Sequence, residues 1–222
     1  MSEGIDNKIY NYKEAKLSIK DALTESIRSQ MIADVPLGAF LSGGIDSSLI
    51  VSIMQSLSPD PIKTYTIGFD HSEYNEANDA KSIANYLGTD HTELYVTASQ
   101  ALNVIPKIPN IFDEPFADSS QIPTYLISKL ASSNVTVSLS GDGGDELFGG
   151  YNRYYKGYSA WKNFSRMPYP INYIFSEIIC SINPEKWNFL YNHFGKYISD
   201  EKNYKNIGDK LYKMADIIKI NN

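Results

Sequence analysis

Phe40-Leu41-Ser42-Gly43-Gly44-Ile45-Asp46-Ser47-Ser48, set between an apolar segment and one of helical pattern, is the stretch on which the fold turns. Two adjacent glycines permit a sharp bend that exposes successive backbone N–H groups, and the serines add hydroxyl donors. A helix beginning near Asp46 aims its positive end into the same space, which makes the bend a cradle for pyrophosphate. The widely spaced glycine loop closed by Gly-Lys-Ser/Thr is absent, and this loop holds no lysine. Asp46 stands there instead. A carboxylate beside phosphates is tolerable mainly with a divalent metal between them, so the loop reads as a magnesium–nucleotide site. The plainer reading is a Gly-Gly turn from strand to helix.

A second loop lies about a hundred residues on. Val135-Thr136-Val137-Ser138-Leu139-Ser140 has the β-branched pattern of a buried strand and runs into Gly141-Asp142-Gly143-Gly144-Asp145-Glu146-Leu147-Phe148-Gly149-Gly150. Carboxylates this dense repel one another unless a cation or full solvation relieves them, so a metal or cationic-ligand site is one reading and a solvated acidic turn the other. Both loops follow an apolar strand and precede a helical pattern, which is where ligands bind in open α/β sheets.

Ser-Gly-Gly-Ile-Asp-Ser resembles the nucleotide loop of the ATP pyrophosphatases, which split ATP between its α and β phosphates. Together with Ser140-Gly-Asp-Gly-Gly-Asp-Glu-Leu-Phe-Gly-Gly-Tyr151, it is similar to the synthetase domain of glutamine-dependent asparagine synthetases. Thr64-Tyr-Thr-Ile-Gly-Phe69 and Asp113-Glu-Pro-Phe-Ala-Asp118-Ser-Ser-Gln-Ile-Pro-Thr-Tyr125 extend the resemblance over about Pro36 to Tyr154. It implies a doubly wound parallel sheet of the adenine nucleotide alpha hydrolase type. It also implies an amide ligase: ATP adenylates the side-chain carboxylate of aspartate, and ammonia then gives asparagine, AMP and pyrophosphate.

By position in the family motifs, Leu41, Ser42, Gly43, Gly44, Asp46, Ser47 and Ser48 would hold ATP. The backbones of Leu41, Ile67 and Gly68 would read adenine, and Ser140 and Gly141 would line the adenylate. Mg2+ would rest on Asp46 and Asp145. Asp142 falls where relatives carry an acidic residue, often Glu, implicated in proton handling, so Asp46, Asp142 and Asp145 are the catalytic candidates. Glu114 and Asp118 read equally as acceptor contacts or as acids at a helix start.

Family enzymes of this type carry an N-terminal glutaminase with a cysteine after the initiator Met. Here Ser2 follows Met1 and Cys180 is the single cysteine, so ammonia is expected from solution or from a glutaminase domain or subunit acting as partner. Two other readings stay open. One is a tailoring ligase with a different carboxylate acceptor, of the β-lactam synthetase or surface-sugar kind; the other is a nucleotide-binding module without catalysis. Aspartate-dependent exchange of pyrophosphate into ATP separates the first of these from an asparagine-forming enzyme.

The 222 residues suffice for one substantial core. A net charge of −6 without a basic run argues against nucleic acid, and no apolar run has the roughly eighteen residues of a membrane span. A polar N-terminus without an apolar block points to the cytoplasm. Cys180, in an apolar run, reads as a buried inert thiol, and three histidines without ligand spacing read as surface groups.

The pattern predicts a helix over 12–32 with Ile19, Leu23, Ile27 and Met31 on its buried face, then strands over 37–41, 63–69, 91–96 and 135–139. Between them it predicts helices over 47–57, 75–87 (closed by Gly88), 98–112 (interrupted by Pro106 and Pro109) and 121–131. Residues 1–150 thus form the ATP pyrophosphatase-like domain. Residues 151–222 read as a helical, Tyr-rich extension whose aromatic residues either pack the domain or mark a ligand surface.

Overall fold

Asn11 starts the first helix. Its side-chain oxygen accepts the N–H groups of Lys13 at 2.9 Å and Glu14 at 3.5 Å, satisfying two donors that no helical turn precedes. The computed structural model describes residues 9–69, 76–114, 118–164, 169–194 and 206–220. Two compact units divide the chain, Met1–Asp145 and Glu146–Asn222.

In the first unit, α1 (Tyr12–Gln30) leads to β1 (Leu37–Phe40), α2 (Ile45–Leu57), β2 (Lys63–Phe69), α3 (Ala77–Leu87) and β3 (Asp90–Val96). Short helices α4 (Ala98–Leu102) and α5 (Ile108–Ile111) flank a 3-10 turn at Ile105–Lys107; α6 (Gln121–Ala131), β4 (Val137–Leu139) and the single turn α7 (Gly144–Phe148) follow. As expected, the helical region over 98–112 is interrupted around Pro106 and Pro109, which offer no N–H to the turns before them. The expected helix start at Asn75, the centre of the Asp113–Tyr125 motif, and His71 lie outside the described residues.

The four strands form one parallel sheet in the order β3-β2-β1-β4. This is the α/β class the alternating pattern predicts. On one face, Ile27, Val51, Ile53, Met54, Ala80 and Ala84 pack with Ala39, Leu41 and Ile62. On the other, Tyr65 packs with Val135 and Ala131 of α6. Burying a side chain such as Val51 or Met54 contributes about 1.5–3 kcal/mol, so the first face dominates the stability of this unit.

Two expectations are corrected. Of the predicted α1 face only Ile27 is buried, while Ile19 is 41% exposed, because this helix meets the core through its C-terminal turns alone. The last strand is shorter than 135–139: the Val135 N–H is taken by Ala131 O at 2.9 Å, so pairing with β1 begins at Leu37–Val137. As the edge of this sheet, β4 leaves Val137 41% exposed rather than buried.

The second unit contains α8 (Asn152–Phe164), α9 (Tyr169–Ser181), α10 (Pro184–Phe194) and α11 (Ile207–Ile220). Ser176, Ile179 and Ala215 are buried. The Tyr212 hydroxyl lies 2.8 Å from Cys180 O and 3.0 Å from Ile182 O, and Trp187 Nε1 donates to Ile179 O at 3.0 Å. The Tyr and Trp here that make these bonds tie helix ends together. Cys180 is half-buried rather than fully enclosed.

Candidate active site

The first loop leaves β1 at Leu41, which is fully enclosed. Its N–H donates to Tyr65 O at 2.9 Å and its carbonyl accepts the buried Thr66 hydroxyl, so the root of the loop is fixed to β2 from both sides. A backbone role for Leu41 toward adenine therefore rests on one remaining carbonyl lone pair. No sequence signal marks Thr66 for this task, since a buried Thr in a strand has many possible partners.

Gly43 adopts φ +84 and comes so close to α3 that a Cβ there would lie 2.9 Å from Asp79 Cβ. Ser47, 7% exposed, is spent inside the loop: its Oγ accepts the Ser42 N–H at 3.2 Å, lies 3.0 Å from Ser42 Oγ, and donates to Gly44 O at 3.2 Å. Ser48 Oγ also donates to Gly44 O, at 2.6 Å. These hydroxyls brace the loop; the backbone N–H groups at the start of α2 are what it presents to an anion.

The second loop leaves β4 at Ser140, whose Oγ donates to Asp142 Oδ2 at 3.1 Å. Gly143 takes φ +87, and Gly144 N donates to Gly141 O at 3.2 Å, closing the bend before α7. The two loops meet at Asp46. A Cβ at Gly141 would stand 2.7 Å from Ser47 N and 3.0 Å from the Asp46 carbonyl carbon, while one at Gly144 would stand 2.5 Å from Asp46 Cγ. Gly144, to which the sequence alone attached no role, is the residue that abuts this carboxylate. Asp46 and Asp145 are half-buried and Asp142 is exposed.

Among the described residues no group of three or more His, Cys, Asp or Glu could hold a metal by itself. Magnesium bound together with a triphosphate needs only one or two carboxylates, its other positions being filled by phosphate oxygens and water. A half-buried Asp46 at the start of α2, with Asp145 following the glycine pressed against it, fits that requirement.

Beside the loops, β2 runs on to Phe69 whereas β1 ends at Phe40, so Ile67 and Gly68 lie past the end of the β1 ladder. Gly68 pairs with Tyr95, and a Cβ at Gly68 would fall 2.7 Å from Tyr95 Cε1. The Tyr95 hydroxyl donates to Glu93 Oε2 at 2.9 Å, and Lys81 Nζ bonds Glu93 Oε1 at 2.9 Å. The lysine holds the Glu93 carboxyl below its ordinary range. His91, expected at the surface, is instead half-buried: its Nδ1 lies 2.9 Å from Thr64 Oγ1, its Nε2 is buried without a hydrogen-bond partner, and burial lowers its pKa. Asp118 Oδ1 accepts the Ser120 N–H at 2.8 Å, which lowers its pKa and suits the helix-start reading.

Residues 18–221 match the family model for asparagine synthase, and the chain belongs to that family. It is 44% identical over 150 residues to Asparagine synthetase (glutamine-hydrolyzing) 1 of Bacillus subtilis, covering 68% of this chain and 23% of that protein. It is 32% identical over 163 residues to Asparagine synthetase B (glutamine-hydrolyzing) of Escherichia coli, covering 65% of this chain and 29% of that protein. The chain thus spans about a quarter of the length of these curated relatives. A solved NH3-dependent NAD synthetase from Campylobacter jejuni overlays with a TM-score of 0.44 at 17% identity, covering 61% of this chain and 60% of that one. No helix among the described residues is long and apolar enough to cross a membrane.

Proposed function

We propose that this chain is the nucleotide-activating part of an ATP-dependent carbon–nitrogen ligase that forms asparagine from aspartate and ammonia. The observation that carries the reading is the meeting of the two glycine loops at Asp46, at the carboxyl edge of adjacent strands β1 and β4. An oxygen of the aspartate side-chain carboxylate attacks the α-phosphorus of ATP. The bond from that phosphorus to the bridging oxygen breaks, and pyrophosphate departs with the electron pair. Ammonia then adds to the acyl carbon, the bond to the AMP oxygen breaks, and one proton is lost from nitrogen.

Negative charge grows on the departing pyrophosphate, and the first N–H groups of α2, which no helical turn precedes, are the donors offered to it. Ser140 and Gly141 line the adenylate, Ile67 and Gly68 read the base, and the exposed Asp142 is the candidate to take the ammonia proton, provided it reaches within about 3 Å of it. Asp46 and Asp145 would hold Mg2+, which supplies charge neutralisation at the phosphates when bound. The names of the relatives support glutamine as the ammonia source, through a glutaminase domain or subunit outside this region. The proposed setting is the cytoplasm, where ATP and aspartate are at hand.

The test is identification of the nucleotide product by mass after incubation with ATP, magnesium, aspartate and ammonium. AMP and asparagine support the reading. ADP, or AMP formed equally without aspartate, overturns it.

A further inference from the structure

Tyr95 is a large aromatic residue left 46% exposed, yet its ring is not free to wander. The hydroxyl is tethered to Glu93, and Glu93 in turn to Lys81 on α3, each at 2.9 Å. The ring edge lies over Gly68: the space a side chain would fill there is occupied by Tyr95 Cε1 and Cδ1, at 2.7 and 2.8 Å from the position of a Cβ. Gly68 also abuts Ala77 at the start of α3, and the same helix start abuts Gly43 of the first loop. Tyr95, Gly68, the first turn of α3 and Gly43 are therefore neighbours on one side of the sheet's carboxyl end.

We propose that the Tyr95 ring, held in place by Glu93 and Lys81, is the stacking wall for the purine base of the nucleotide whose phosphates lie in the Gly43-Gly44 bend. The inference rests on the nucleotide reading above. An oriented ring loses little freedom on meeting a flat base, and stacking supplies affinity without reading the base edge, which is left to the backbone of Ile67 and Gly68. A tyrosine that merely covers the Gly68 backbone would affect the scaffold, and with it every ligand of the first loop.

Calorimetric titration of the chain with magnesium–ATP and with magnesium pyrophosphate separates the two roles. Tyr95→Ala, with Tyr95→Leu as a variant that keeps apolar bulk on the strand, should weaken ATP binding on the order of 10-fold while leaving pyrophosphate within about twofold. Tyr95→Phe, which keeps the ring, should retain ATP affinity within about threefold. Unchanged ATP affinity in both the Ala and Leu variants overturns the proposal, as does an equal loss for ATP and pyrophosphate. A wild-type chain that binds neither ligand removes the nucleotide reading itself, and this inference with it.

Discussion

Replacing Gly141 by Ala should drive the two loops apart. The added methyl would stand 2.7 Å from Ser47 N, 3.0 Å from the Asp46 carbonyl carbon and 3.1 Å from Asp46 Cβ. Two of those three atoms belong to backbone at the start of α2, so no rotamer change relieves the clash. An ordinary contact needs about 3.4 Å or more, which requires roughly 0.7 Å of separation and costs about 1–3 kcal/mol of overpacking. For a chain of this size each 1 kcal/mol lowers Tm by about 2–4 °C. Displacing the proposed catalytic groups by nearly 1 Å should cost up to about 100-fold in turnover. Circular dichroism melting and AMP formation are the assays, with Gly143→Ala as comparison. Gly143 sits at φ +87 with nothing within 4 Å, so it incurs backbone strain of about 1 kcal/mol without a collision. A Gly141→Ala chain that melts and turns over like the wild type refutes the idea that close approach at this glycine joins the loops.

Asp46→Asn and Asp145→Asn should each abolish magnesium-dependent AMP formation while leaving the far-UV spectrum and Tm nearly unchanged; normal turnover by either variant removes that residue from the metal assignment. Tyr212→Phe deletes a hydroxyl shared by the carbonyls of Cys180 and Ile182 and should destabilise the second unit by about 1–2 kcal/mol, read as a fall in the denaturant midpoint. Burial lowers the pKa of His91, so below the unfolded value of about 6.5 the unfolded chain takes up the proton more readily than the folded one. Stability should therefore be level above that pH and decline as pH falls from 6.5, and His91→Gln should flatten the decline between pH 6.5 and 5. The lowered Glu93 pKa acts below about 4.5 and leaves this window clear.

The alternation of β-branched runs with helical periodicity was enough to read β2 to its terminal residues, Lys63–Phe69, and to place Gly88 as the left-handed close of α3. Local chemistry decides both features. The true extent of β4 was not legible, because it depends on Val135 donating to Ala131, a choice made by the helix before the strand. The partly uncovered face of α1 was not legible either: four-residue spacing reports that a face is apolar, not what covers it. At the candidate site, the adjacent glycines of the first loop signalled a sharp bend but not what lies against it. That Gly141 and Gly144 crowd Asp46, rather than a ligand alone, depends on strand order, which brings β4 beside β1. His91 misled because a lone histidine carries no periodic signal, and its bond to Thr64 arises only once β2 and β3 are in register.

The ladder between Leu37 and Val137 has a kinetic meaning. It closes about a hundred residues of chain at a substantial entropy cost, whereas β1, β2 and β3 associate through much shorter excursions. During refolding, helices and the three-stranded part should form ahead of that closure, and the half-site at Asp46 completes only afterwards. The proposed capacity to bind ATP would then lag behind the recovery of secondary structure.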